Sequence, residues 1–148
     1  MKAPKRILFA TDFSRASEKA FDQAVDIARE NGAELLIAHA YQPPSVAPTD
    51  AYLSAAMYEE LDTNLREAAA QQLAGFLRAA RERGVPSRSL LLAGRPDEAI
   101  SETAKEQAAG LIVMGTHGRT GPARFFLGSV ASRVTSTAPC PVLTVRAA

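Results

Sequence analysis

The sequence predicts an α/β fold: an open, parallel, five-stranded sheet with helices on both faces. Three observations predict it. Short apolar runs alternate with segments of helical periodicity along the whole chain. The runs are continuously apolar rather than alternating apolar and polar, which is the pattern of parallel strands buried on both faces. Finally, 148 residues, 47% of them hydrophobic and 22% charged, suffice for one core without disulfides or a structural metal. We therefore expect a single domain over residues 1–148. One cysteine cannot form an internal bridge, which fits a reducing compartment.

The first run, Arg6-Ile7-Leu8-Phe9-Ala10, reads as a buried strand, and Thr11-Asp12-Phe13-Ser14 after it offers several side chains able to cap a helix. From Ser17 to Asn31, Ala20, Phe21, Ala24, Val25 and Ala28 recur at helical spacing, and Asn31-Gly32 is a stop signal. Glu34 to Ala40 is the second strand. Pro43, Pro44 and Pro48 then impose a surface loop, because proline has no amide to donate. A long helix is expected from about Ala51 to Gly84, with Leu53, Met57, Leu61, Leu65, Ala69 and Leu73 stepping by four as a core stripe that Phe76, Leu77 and Ala80 continue. Ser87 to Leu92 is the third strand. Pro96 stands near the start of a helix carrying Ala99, Ile100, Thr103 and Ala104. Leu111 to Met114 is the fourth strand, a glycine-rich segment runs to Gly128, Ser129 to Ser136 is a short helix, and Pro141 to Arg146 is the fifth strand.

Seventeen Lys and Arg against 16 Asp and Glu give a formal net charge of +1, and no basic block appears. Nucleic-acid binding by bulk electrostatics is excluded, since counterion release needs a concentrated basic surface. No stretch reaches the roughly 20 apolar residues of a membrane span, and Asp12 interrupts the first apolar run before signal-peptide length. The expected location is the cytoplasm.

In an open parallel sheet, ligands bind beyond the carboxyl ends of the strands where the winding reverses. Strand one ends at Ala10-Thr11-Asp12, and strand four ends at Gly115-Thr116-His117-Gly118-Arg119-Thr120-Gly121. Glycines there let the backbone turn sharply or approach a ligand, and consecutive amides can form an anion-binding concavity. Gly128-Ser129-Val130 begins a helix, whose free amides and positive dipole end suit phosphate. Neither GxxxxGK[ST] nor GxGxxG after the first strand is present. A surface loop whose glycines only make turns is the competing reading.

The spacing Gly115-x2-Gly118-x9-Gly128-Ser129, together with ILFATDFS at the start, His39-Ala40 at the end of strand two and CPVLTVR at the finish, resembles the universal stress proteins, and specifically their ATP-binding branch. The resemblance implies a Rossmann-like sheet of the adenine nucleotide alpha hydrolase type, in strand order 3-2-1-4-5. It implies ATP, with Mg2+, lying over strands one and four. Backbone groups at Ala10 and Ala40 would hold adenine, with Thr11 and Asp12 beside the nucleotide. The loop Gly115, Thr116, His117, Gly118, Arg119, Thr120 and Gly121, with Gly128, Ser129, Val130 and Ala131, would hold ribose and phosphates. Metal ligands are not assigned.

Read singly, Asp12 can cap the next helix, contact ribose hydroxyls or help hold magnesium. His117 can meet a phosphate or face solvent, and Arg119 can neutralise phosphate charge. His39 reads as a hydrogen-bonded structural residue. Ser129 lacks a GxSxG context and a base, so it reads as a phosphate ligand rather than a nucleophile. Cys140, between two prolines, reads as buried rather than reactive. The last strand would leave an apolar edge, and pairing with a second copy through Val142, Leu143 and Val145 would cover it, giving a homodimer, to which the resemblance also points. The function expected is a nucleotide-dependent stress-response module. The alternative is a slow ATPase or phosphotransferase at the same site, although no Walker-type lysine, second carboxylate or positioned base is apparent.

Overall fold

The computed structural model describes residues 2–45, 54–117 and 127–147. Its elements run β1 (Arg6–Ala10), α1 (Arg15–Asn31), β2 (Glu34–Tyr41), α2 (Ala55–Glu82), β3 (Ser87–Ala93), α3 (Pro96–Glu106), β4 (Leu111–Gly115), α4 (Ser129–Thr137) and β5 (Val142–Val145). All strand pairings are parallel and the sheet order is β3-β2-β1-β4-β5. The order 3-2-1-4-5 is therefore the one expected. Because β1 pairs with β2 on one side and β4 on the other, with Ala10 opposite Ala38 and Met114, the winding reverses between β1 and β4.

Alternate residues of the strands fill two cores, as the pleat requires. Ile7, Phe9, Leu35, Ile37 and Val113 face α1 and α2, where Phe21 and Phe76 pack on Phe9 with ring centroids 5.5 and 5.4 Å away. Leu8, Leu36, Ala38, Ile112 and Met114 face Ile100 and Ala104 of α3 and Ala131 and Val134 of α4.

Two helix starts differ from expectation for local reasons. Helix α1 starts at Arg15 rather than Ser17, because Ser14 is its N-cap and accepts the Ser17 amide. Helix α2 starts at Ala55, capped by Ser54, so the expected first turn and Leu53 lie outside the described residues.

The core stripe expected on α2 holds in its second half, where Phe76 and Leu77 also pack against the core, and fails in its first. Ala69, Leu73 and Ala80 are buried, but Met57, Leu61 and Leu65 are 53%, 44% and 40% exposed. A series stepping by four drifts about 40° per step around a helix of 3.6 residues per turn, so it cannot stay on one face. Length adds to this. The 28 residues of α2 span about 42 Å at 1.5 Å each, whereas the 7 residues of β3 span about 23 Å. The first half of the helix therefore overhangs the carboxyl end of the sheet. Asp62 on this half binds β2: the Tyr41 hydroxyl donates to Asp62 Oδ1 at 3.1 Å, and Arg66 Nε donates to Oδ2 at 3.0 Å while its guanidinium lies over the Tyr41 ring. Burial and the Asp62 hydrogen bond together raise the Tyr41 pKa above its ordinary value.

Candidate functional site

The carboxyl ends of β1 and β4 stand side by side, and the residues that follow them are held by main-chain bonds. Thr11 N donates to Ala38 O at 2.9 Å, and Thr116 N donates to Val145 O at 2.9 Å. Thr11 and Thr116 are both buried, as is Ala10, whereas Ala40 is half-buried one position before the end of β2.

After β1 the chain turns through an unusual conformation. Phe13 has φ +63°, in the left-handed region that a bulky side chain rarely adopts. Two side chains fix the turn: Phe13 N donates to Thr11 Oγ1, and Ser14 N donates to Asp12 Oδ1, each at 2.9 Å. Asp12 is thus not the helix cap. That role belongs to Ser14, and Oδ2 of Asp12 takes no part in the turn. The hydroxyls inside are ordered by their donors. Ser17 Oγ donates to Ser14 O at 2.8 Å, so the Thr11 hydroxyl must be the donor in its 2.9 Å contact with Ser17 Oγ. His39 is hydrogen-bonded, as expected. Its Nδ1 lies 2.7 Å from Thr11 O and so carries a proton, while its ring packs on Phe13 with centroids 4.3 Å apart.

Gly115 is the last residue of β4 rather than part of a loop, and its lack of a side chain has a packing cause. A Cβ there would stand 2.8 Å from Ala16 Cβ and 3.0 Å from Ala16 C, so α1 can reach the end of β4 only because this residue is glycine. Gly128 is constrained on the other side. Its amide donates to Thr116 O at 2.7 Å, and a Cβ would stand 2.9 Å from that same oxygen. The start of α4 is thereby fixed to the end of β4. Gly118, Arg119, Thr120 and Gly121 lie outside the described residues. Ser129 is exposed, Val130 half-buried and Ala131 buried.

The starts of the described helices are not equivalent. Ser14 caps α1 and Ser54 caps α2 by accepting amide hydrogens. Helix α3 has Pro96 at its start and Asp97 and Glu98 in its first turn, with Asp97 paired to Arg95 at 3.2 Å. Among the described helices, only α4 has neither a side-chain cap nor an acidic residue in its first turn. Its first intrahelical bond is Ser132 N to Gly128 O at 2.9 Å, which leaves the amides of Ser129, Val130 and Ala131 ahead of it. Such a terminus carries a partial positive charge suited to an anion. Beside it, His117 Nδ1 lies 3.0 Å from Thr116 Oγ1, and His117 Nε2 is buried with no hydrogen-bond partner among the described residues.

Among the described residues no three of His, Cys, Asp and Glu group as metal ligands, and no helix is long and apolar enough to cross a membrane. Cys140 is half-buried, and burial raises its thiol pKa, which disfavours the reactive thiolate. Sequence reasoning passed over Phe13, Tyr41 and Asp62.

A doubly wound parallel sheet with an uncapped helix start at its switch point defines a class of α/β proteins that place ligands beyond the strand ends. Within that class the particular group is clear. The model of the universal stress protein family matches residues 4–146, and the chain belongs to that family. It is 41% identical over 143 residues, 96% of this chain and 98% of the other, to a universal stress protein of Thermus aquaticus encoded in the QAH/OAS sulfhydrylase 3′ region. The solved structure of the hypothetical protein MJ0577 superposes with a TM-score of 0.83 at 26% identity, covering 96% of this chain and 95% of that one. A universal stress protein crystallised in complex with cAMP superposes with a TM-score of 0.72 at 30% identity, covering 99% of this chain and 100% of that one.

Proposed function

We propose that the chain binds ATP together with Mg2+ over the carboxyl ends of β1 and β4, and acts in the cytoplasm as a nucleotide-dependent stress-response module. One observation carries this reading: among the described helices α4 alone begins without a side-chain cap or a first-turn carboxylate, and its start is tied to the end of β4 at the switch point. The cAMP complex of a relative supports an adenine nucleotide as the ligand class. In this reading the backbone at Ala10 and Ala40 holds the base, with Thr11 and Asp12 beside ribose or metal. Phosphates lie against the chain from Gly115 to Gly121 and the amides from Gly128 to Ala131. Magnesium commonly takes one or two carboxylates plus phosphate oxygens, and Asp12 retains Oδ2 for such a role. Affinity comes from main-chain amides and a helix dipole, so the near-zero net charge of the chain is no obstacle.

The expected result is thermal stabilisation. Free ATP with magnesium at about 100 times its Kd adds about 2.7 kcal/mol to the native state, or about 5–10 °C in Tm for a domain of this size. No shift at millimolar ATP by scanning fluorimetry sinks the reading.

We further propose a homodimer through β5. Two of the three residues named for it have a second role: Val142 packs against the α3/α4 core and Val145 against the α1/α2 core. Leu143, 36% exposed on this edge strand, is the cleaner probe. Leu143→Glu is expected to halve the light-scattering mass while preserving the circular dichroism spectrum. An unchanged dimer mass would remove this interface from consideration.

A further inference from the structure

We propose that the exposed first half of α2 is a docking surface for a basic amphipathic helix of a protein partner. Met57, Leu61 and Leu65 are three of the five large apolar side chains exposed among the described residues, and the other two, Leu127 and Leu143, stand elsewhere in the chain. Apolar residues exposed singly are ordinary, but a contiguous group with a polar rim marks an interaction site.

These three form such a group. Two steps of four residues turn about 80° around the helix, inside the roughly 100° width of one apolar stripe, and Ala68 falls between them. Only from Ala69 onward does the same drift carry the series onto the core face. From Met57 to Ala68 the stripe runs about 17 Å, or three turns. The helix beneath it is anchored, because Asp62 holds both the Tyr41 hydroxyl of β2 and Arg66.

Charge selects the occupant. Residues 55–77 carry Glu59, Glu60, Asp62 and Glu67 against Arg66 alone, a net of −3 in a chain whose total is +1. Arg66 is bound to Asp62 at 3.0 Å, whereas Glu60 and Glu67, both exposed, have no cationic partner among the described residues. Helical spacing puts these two carboxylates along the rim of the stripe that faces away from the core. A second copy docking about a two-fold axis would set this acidic patch against itself, since such an interface uses the same surface on both subunits. Anionic lipid headgroups meet the same repulsion. A helix with apolar residues at i, i+4 and i+7 and with Lys or Arg on its flank answers both features, covering the stripe and pairing with Glu60 and Glu67. The flexible Met57 side chain lets the end of the stripe adapt to that helix.

The test uses the full chain and two synthetic peptides of about 18 residues, long enough to form a helix. One is patterned in leucine and lysine, and in the other every lysine is glutamate. The lysine peptide is expected to bind at least about 10-fold more tightly at physiological salt, with its 15N amide shifts centred on residues 57–68. Met57→Gln/Leu61→Gln weakens it at least about 10-fold, while glutamine keeps the helix propensity of the residues it replaces. Glu60→Lys/Glu67→Lys weakens it comparably and abolishes the preference for lysine over glutamate. No binding of the lysine peptide, equal affinity for wild type and either variant, or shifts confined to other elements overturns the proposal. Three further results name a different occupant and overturn it as well. A lower sedimentation mass in Met57→Gln/Leu61→Gln assigns the stripe to a second copy. A fall in its Tm of more than about 5 °C assigns it to the chain's own packing. Phosphatidylglycerol vesicles that pellet wild type but not this variant assign it to a membrane surface.

Discussion

Replacing Gly128 by valine is expected to lower ATP affinity by at least about 100-fold while the sheet stays folded. The backbone conformation is not the obstacle, because Gly128 has φ −58°, which any residue adopts. The obstacle is contact: the first added carbon would stand 2.9 Å from Thr116 O, a main-chain oxygen already engaged at 2.7 Å by the Gly128 amide. Either that bond opens or Thr116 lifts away from Val145 O. Both outcomes move the leading amides of α4 off the end of β4, and a site made of oriented amides fails once their convergence is lost. The body of α4 stays in place, because Ala131 and Val134 remain buried in the core it shares with α3. Calorimetric titration beside a far-ultraviolet dichroism spectrum checks both halves. Near wild-type affinity in the variant would show that the helix start is not the phosphate site.

Gly115 answers to a different cause, and its replacement should reveal it. Gly115→Val is expected to destabilise the fold by about 3 kcal/mol, lowering Tm by about 6–12 °C, because overpacking forces backbone to move. The added carbon would meet Ala16 Cβ at 2.8 Å and come within 3.1 Å of the Ser17 amide nitrogen. Neither is the far end of a flexible side chain. The first turn of α1 is moreover anchored, with Ser17 bonded to Ser14 and Thr11. It cannot retreat without breaking buried hydroxyl contacts, and a buried polar group left unpaired costs about 1–3 kcal/mol. Urea unfolding gives the measurement. A midpoint equal to wild type would show that α1 accommodates a side chain at this position. Two glycines of one spacing pattern thus separate by experiment, the first acting on stability and the second on ligand affinity.

The sheet was legible from sequence because its signal is redundant. Ile7 to Phe9, Leu35 to Ala38 and Leu111 to Met114 are apolar on both faces, and only a doubly covered parallel strand buries such runs. The end of β2 and the start of α1 were less legible. Tyr41 remains in the strand through its pairing with Ala93, a partner far away in sequence. The cap of α1 fell to Ser14 because Asp12 was already engaged by the Ser14 amide, a competition among Thr11, Asp12 and Ser14 that composition cannot rank. The exposed half of α2 escaped because spacing reports which residues share a face, but not whether the sheet is long enough to meet that face. In the site, the positions of Gly115 and Gly128 were legible. Their reasons were not, since each depends on a contact, with Ala16 or with Thr116 O, that only the folded chain brings about.

The bond from Gly128 N to Thr116 O joins two main-chain atoms and asks nothing of any side chain between them. The polypeptide between these residues therefore begins and ends on a socket built into the sheet. Grafting is the practical consequence. A segment of different composition placed between Thr116 and Gly128 is expected to leave this junction intact, because the bond that closes it is between main-chain atoms.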